Sequence, residues 1–405
     1  MQNAMDAVRQ PSIPRKTRRL QIIASVREHT ATSRTELSRE MSLDKKAMSV
    51  IVDGLLSDGI LAISGHGASS AGRRRELLSL NGQYANCIGI DLGGTHMTGL
   101  LCDFAGTVLD RAFFEIRPGL PVSIILDQMK TIARQLHASG RATAKVRAAG
   151  VGVPGFVQPD RGLSIVAENI QGWRDVPIGR IMEEELSLPV VVDDSSRAYA
   201  TAERWLGYGK GRADFLLLDL GYGVGMGIFA AGALYTGADW RSGEIGHVVM
   251  APDGEPCACG NRGCLETVAS GRAIARQAAE GIRRGDAPLL QRLTHNDPDA
   301  VTAQDVSIAA SMADPFSIGL LESAGRSVGL ALANAVNILN PSAIVLGGGL
   351  LGAGKTLTNA IAGSLARFAM PGLRERLSLV VSELGADGAA RGMALAAADR
   401  IMAET

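Results

Sequence analysis

Hydrophobic and polar positions alternate with helical spacing over the first eighty residues and with strand spacing thereafter. From Arg18 to about Glu28 the run RRLQIIASVRE puts Leu20, Ile23 and Ala24 on one helical face. Ser33-Arg-Thr-Glu36 reads as a capping box that opens a second short helix through about Met41. Asp44 caps a third helix, in which Met48, Ile51, Val52, Leu55 and Leu56 recur at helical spacing, and Gly59 stops it. Two short apolar segments, ILAIS and ELLSLN, flank the small and basic tip GHGASSAGRRR. The order is helix, helix, helix, hairpin, which predicts a winged helix-turn-helix over residues 15–82.

After Asn81-Gly82 the chain turns to strands that end in glycine. CIGIDLGGTHMTGLLCD predicts a strand, a tight turn and a returning strand; AAGVGVPGFV (148–157), FLLLDLGYGVGMGIF (215–229) and SAIVLGGGLL (342–351) repeat the theme. Strand–glycine junctions separated by helical patterns predict an α/β body with nucleotide-scale loops at its strand ends. The uncharged stretch between Arg326 and Lys355 is long enough to span a bilayer, but its asparagines, Pro341 and three consecutive glycines read as helix, turn and strand.

Length and charge sharpen this picture. At 405 residues the chain calls for more than one domain, and 46% hydrophobic residues with 4% aromatics describe aliphatic cores rather than disorder. The net charge of zero hides a division: residues 1–82 carry thirteen Lys/Arg against eight Asp/Glu, the remainder 28 against 33. A head of net +5 is joined to a body of net −5. Lys45, Lys46 and Ser49, near the start of the third helix, are placed to meet base edges of double-stranded DNA, and Arg73, Arg74 and Arg75 on the wing to meet phosphates. The five cysteines form no secreted disulfide framework, and no signal peptide is recognisable, so a cytoplasmic protein with no membrane partner is expected.

Three patterns carry chemistry. Asp91 at a strand end, with Gly93, Gly94 and Thr95, suits a phosphate or magnesium contact. Gly349 to Thr356 matches the P-loop pattern letter for letter, yet the downstream strands and acidic metal ligand of a P-loop core are missing, so the match reads as fortuitous. Between Glu244 and Glu266, His247 with Cys257, Cys259 and Cys264 offers four ligands for a closed, structural Zn2+ site. That metal would pin Glu244 and Glu266, whose carboxylates can accept hydrogen bonds from sugar hydroxyls.

Taken in order, DLGGT, GVPG, NIQGW, the glycines at 221–227, EIGH, CACGNRGCLE and GGG resemble the ROK family of sugar kinases and sugar-responsive repressors. The resemblance implies a two-lobed actin/hexokinase-like fold: a first lobe over 85–197, completed by a C-terminal helix at 388–405, and a second over 198–387 that carries the zinc site. It also implies a homodimer or homotetramer. Asn169, Glu244, His247 and Glu266 match the family's sugar contacts. Asp91, Gly93, Gly94 and Thr95, Gly221 and Gly223, and Gly347 and Gly348 match its nucleotide motifs. A winged helix ahead of this body looks like the family's transcriptional regulators.

Two departures bear on activity. Where family kinases carry Glu-Asn-Asp-Ala-Asn, this chain has Asp193-Asp194-Ser195-Ser196-Arg197, with Ala198, Ala202, Glu203 and Gly207 setting the register. Ser195 therefore stands at the position of the base that deprotonates the sugar, a loss of roughly 10²–10⁴-fold. Asp194 is expected to point elsewhere on an extended segment. Tyr222 occupies the phosphate loop where a small threonine is usual, and His96 stands where kinases often carry lysine. Arg197 suits a phosphorylated or acidic sugar, or else an ion pair with Asp193 or Asp194. The expectation is a non-catalytic regulator, a repressor that binds operator DNA and a sugar effector; the alternative is an ATP-dependent sugar kinase, using Asp194 as base, with an accessory head.

Overall fold

The computed structural model describes residues 15–29, 31–67, 75–117 and 119–404. Contacts divide the chain into two compact units, residues 1–84 with 402–405 and residues 85–401. In the first unit, α1 (Arg15–Glu28), α2 (Arg34–Glu40) and α3 (Lys45–Ser57) precede the antiparallel pair β1 (Leu61–Gly67) and β2 (Arg75–Leu80). The Ser33/Glu36 capping box forms in full, and Asp44 accepts hydrogen bonds from the Lys46 and Ala47 amides. The buried face of α1 is Ile22, Ile23 and Val26 rather than Leu20, Ile23 and Ala24, which turns the helix slightly from the face expected. Leu37, Met48, Val52, Leu55 and Leu78 of the same unit are buried as well.

The second unit repeats one plan twice. β3 (Asn86–Leu92), β4 (His96–Asp103) and β5 (Val108–Glu115) form an antiparallel meander, followed by α4 (Val122–His137) and β6 (Val146–Val153). A small sheet of β7 (Phe156–Gln158), β8 (Leu163–Val166) and β9 (Arg174–Val176) interrupts before α5 (Ile178–Leu186) and β10 (Val190–Asp194). The sheet order is β10-β6-β3-β4-β5, with β6 and β10 parallel to β3. α6 (Ser195–Leu206) then leads into the second lobe.

There β11 (Phe215–Leu220), β12 (Val224–Ala230) and β13 (Ala233–Leu234) form the meander. The helices α7 (Glu266–Ala269), α8 (Gly271–Arg284), α9 (Pro288–Leu293), α10 (Ala303–Ser311) and α11 (Pro315–Leu339) follow. β14 (Ala343–Gly347), α12 (Lys355–Phe368), α13 (Pro371–Arg374) and β15 (Ser378–Val381) complete the order β13-β12-β11-β14-β15. α14 (Gly388–Glu404) returns to the first lobe, where the α-carbons of Gly89 and Gly150 lie so close to its Ala390, Met393 and Ala394 that a Cβ at either glycine would collide with helix backbone. Each lobe keeps its own aliphatic core. Among the described residues, no helix is long and apolar enough to cross a membrane.

This duplicated plan explains the acidity of the region between the lobes. Asp91 is the penultimate residue of β3, Asp194 ends β10 and Asp219 lies near the end of β11, in register with Gly347 of β14. Carboxyl ends of parallel strands are where α/β sheets open onto ligands.

Candidate functional site

A cavity of about 210 Å³ lies between the lobes. Its wall brings together Asn169, Glu244, His247 and Glu266 with Asp91, Gly93, Gly94, Thr95, Gly221, Gly223 and Gly348. Gly347 lies just behind the wall, beneath Tyr199. Lys355, of the P-loop look-alike, is exposed at the start of α12 and does not line the cavity.

Glu266 begins α7 and is buried. Its Oε2 accepts from the Val224 amide at 3.1 Å and its Oε1 from Arg272 Nη2 at 3.1 Å. Burial, then the charges of Asp194 and Glu168, push the Glu244 carboxyl up to about 7. Asn169 Oδ1 is shielded from water and has no hydrogen-bond partner among the described residues.

His247 joins the cavity to a cluster behind it. Its Nδ1 lies 3.5 Å from Cys257 Sγ, and Cys259 Sγ lies 3.7 Å from Cys264 Sγ; all four ligand atoms fall within 4.8 Å of one another. A zinc tetrahedron has S···S edges of about 3.8 Å and N···S edges of about 3.6 Å. The four residues therefore fit a metal ion. Burial and then the neighbouring sulfurs push the Cys264 thiol up to about 12, so a bound cation is what would hold these sulfurs as thiolates. With Nδ1 given to a metal, Nε2 is left facing the cavity, 3.7 Å from Glu168 Oε2 and 3.9 Å from Glu244 Oε2.

At the opposite end Asp194 departs from what was expected, and Arg197 takes the second of its two readings. Asp194 does line the cavity beside Ser195, because β10 ends at Asp194 and the alternation of an extended strand stops there. It is the N-cap of α6, its Oδ1 accepting from the Ser196 and Arg197 amides at 3.0 Å each, and burial pushes its carboxyl up to about 6. Arg197 does not face the cavity. It is 2% exposed; Nε and Nη2 donate to Asp193 Oδ1 at 2.8 and 2.5 Å, and Nη1 donates to the Trp240 carbonyl at 2.6 Å. The guanidinium is thus committed to an i,i+4 ion pair and to a loop whose Trp240 has φ +66°. Finally, Tyr222 lies directly on Gly94, across the cleft, so close that a Cβ there would fall 2.4–2.8 Å from its side-chain atoms. Arg272 sits 5.9 Å from the centre of that ring.

Four residues escaped the sequence reading. Glu168 lines the cavity, signalled only by its place next to Asn169. Tyr199 covers Gly347 and Gly388, its hydroxyl donating towards Ser382 Oγ and the Gly385 carbonyl, both at 2.9 Å. Asp219, pushed up to about 7 by burial and by Asp91 and Asp194, was visible as an aspartate two residues before Gly221. Nothing local in the sequence marks Arg272 as the partner of Glu266.

On the head, Lys45 and Lys46 are exposed at the start of α3 and Ser49 is half-buried. Arg75 is exposed at the start of β2, whereas Arg73 and Arg74 lie outside the described residues.

A model of the ROK family matches residues 87–400. The chain belongs to the ROK family. Its body therefore has the family's mixed α/β, actin/hexokinase-like fold, in keeping with the duplicated lobes. Glucokinase of Halalkalibacterium halodurans is 36% identical over 307 residues, 75% of this chain and 92% of that protein. The xylose repressor of Bacillus subtilis is 25% identical over 401 residues, 98% of this chain and 99% of that one. A solved ROK family transcriptional regulator, a homologue of the E. coli MLC protein, superposes with a TM-score of 0.76 at 25% identity, over 95% of this chain and 97% of its own. The similarity to the glucokinase leaves a quarter of this ROK chain unmatched; the two regulators run through nearly all of it.

Proposed function

We propose that this ROK protein is a sugar-responsive transcriptional regulator, a repressor, whose body is a kinase-derived effector sensor. The observation that carries this reading is the Tyr222 ring on Gly94: it fills the space between the two phosphate-type turns, at the end of the cleft where Ser195 supplies no base. Tyr199 over Gly347 crowds the adenosine-type turn in the same way. The three helices and hairpin of the head support a winged helix-turn-helix. In this reading Lys45, Lys46 and Ser49 meet bases, Arg73, Arg74 and Arg75 meet phosphates, and Zn2+ at His247, Cys257, Cys259 and Cys264 is structural. The working form is a cytoplasmic homodimer or homotetramer on operator DNA. A sugar held by Asn169, Glu244, His247 and Glu266 shifts the population of cleft states and, through it, operator affinity.

The test is DNA selected by the purified protein from a random pool, titrated with and without a panel of free sugars. Release or tightening by one sugar supports the reading; no response across the panel overturns its sensing half. Replacing Arg73, Arg74 and Arg75 with alanine should weaken binding on all sequences and flatten its dependence on salt.

One observation favours a second reading, a sugar kinase. Asp194 lines the cavity with a carboxyl held near 6, within the range of a working base. Against it, one carboxylate oxygen already accepts two backbone amides. ATP-dependent phosphorylation of a hexose, lost in Asp194→Asn, would replace the first reading with the second.

A further inference from the structure

The cleft wall is acidic to an unusual degree. Asp91, Glu168, Asp194, Asp219, Glu244 and Glu266 all line it, and among the described residues no lysine or arginine does. The two arginines that approach from behind the wall are bound by other groups, Arg272 by Glu266 and Arg197 by Asp193. An anionic ligand would therefore bring its charge into a ring of carboxylates with no cation to receive it. Phosphorylated and acidic sugars are disfavoured on this ground, which removes the ligand class that Arg197 had suggested.

Donors and acceptors do not balance at the His247 end. Glu168 Oε2 and Glu244 Oε2 converge on His247 Nε2 from 3.7 and 3.9 Å, too far for either contact to be a hydrogen bond. A single ring N–H serves at most one of these two carboxylates well. Beside them Asn169 Oδ1 is shielded from water and unpaired, and Glu266 offers carboxylate oxygens from the neighbouring wall. Apart from the His247 ring N–H and the Asn169 amide N–H groups, the set offers carboxylate oxygens, so acceptors outnumber donors and no cation balances the two carboxylates. A hydroxyl brings one donor and no charge; an ammonium brings three donors and the missing charge.

We infer that the ligand class of this cleft is an unphosphorylated amino sugar, its ammonium seated between Glu168 and Glu244, with Glu168 the residue that selects it. This rests on the reading of the cleft as a sugar-effector site and narrows it. Glu168 adds a second carboxylate beside the family-matched Glu244, and that pair distinguishes a basic ligand from a neutral one.

The experiment is calorimetric titration of the full chain with D-glucosamine, D-galactosamine, D-glucose, N-acetyl-D-glucosamine and D-glucose 6-phosphate. An amino sugar should bind at least about tenfold more tightly than glucose, the lower end of what a charge-assisted hydrogen bond contributes. The N-acetyl sugar, which has lost the charge, should forfeit that advantage, and the phosphate ester should bind least. In Glu168→Gln the ratio of the glucose Kd to the amino-sugar Kd should fall towards one; a ratio within one protein cancels any general loosening of the cleft. Should that variant fail to fold, the wild-type panel decides alone. Glucose or its phosphate binding as tightly as both amino sugars overturns the inference and leaves the sugar-sensor reading standing. An unchanged ratio in folded Glu168→Gln likewise overturns the role of Glu168. If no sugar binds at all, the sensor reading falls and this inference with it.

Discussion

At the His247 end of the cleft, two side chains are held from behind: Glu266 by a backbone amide and Arg272, His247 by its place in the four-residue metal-ligand cluster. At the other end, three aspartates face one another across the strand ends, and Tyr222 fills the gap above Gly94. The first arrangement fixes acceptors in position, as recognition of a small polar ligand demands. The second concentrates like charge and fills with a ring the space a polyphosphate needs. In the proposed reading, one scaffold serves as a receptor at one end and is obstructed at the other, the two ends being supported by different elements.

The strongest test of this contrast is metal removal. Stripping the protein with a chelator, or replacing Cys259 with serine, should abolish the sugar-induced thermal shift and lower Tm by at least about 5 °C, since metal binding and folding are linked. Metal analysis should find one zinc per chain; a stripped protein with unchanged sugar binding would separate the metal from the receptor end. Next in size is the repair of the obstructed end. Tyr222→Thr combined with Ser195→Asp should gain binding of a non-hydrolysable ATP analogue, and hexose phosphorylation should rise by roughly 10²–10⁴-fold over background as a base returns. Full kinase turnover by the unaltered protein would erase the contrast. Glu266→Gln keeps an acceptor for Val224 but loses the charge facing Arg272, so sugar affinity should fall by about tenfold, measured by titration calorimetry.

The smallest effect concerns pH. Burial raises Asp91 and Asp194 to about 6 and Asp219 to about 7, from an ordinary 3.8. The folded state then holds more protons than the unfolded one, so this contribution to stability is complete below about pH 4 and is lost as pH rises through 6 to 7. Denaturant midpoints should therefore fall between pH 5 and pH 8, and Asp219→Asn should make that fall shallower. An unchanged slope would place the repulsion elsewhere.

Much of this contrast was legible before any coordinates. The metal cluster could be read because four ligands of restricted type crowd into eighteen residues. Arg197 could not be assigned to one role, since a basic residue four positions after an aspartate suits a helical ion pair as well as a ligand contact. Asp194 was misjudged because strand alternation was carried one residue past the point where its own side chain caps a helix. Glu168, Tyr199 and Arg272 depend on contacts between segments far apart in sequence, which no local pattern encodes.

The return of α14 to the first lobe has a consequence for biosynthesis. β3 and β6 leave the ribosome early, but the surface that covers Gly89 and Gly150 is encoded from Gly388 onward. At ordinary elongation rates the half-made lobe must wait on the order of tens of seconds for its missing layer. Through that interval a nascent chain has its head but not the layer that closes its first lobe, so the cleft takes its final form only after α14 has been made.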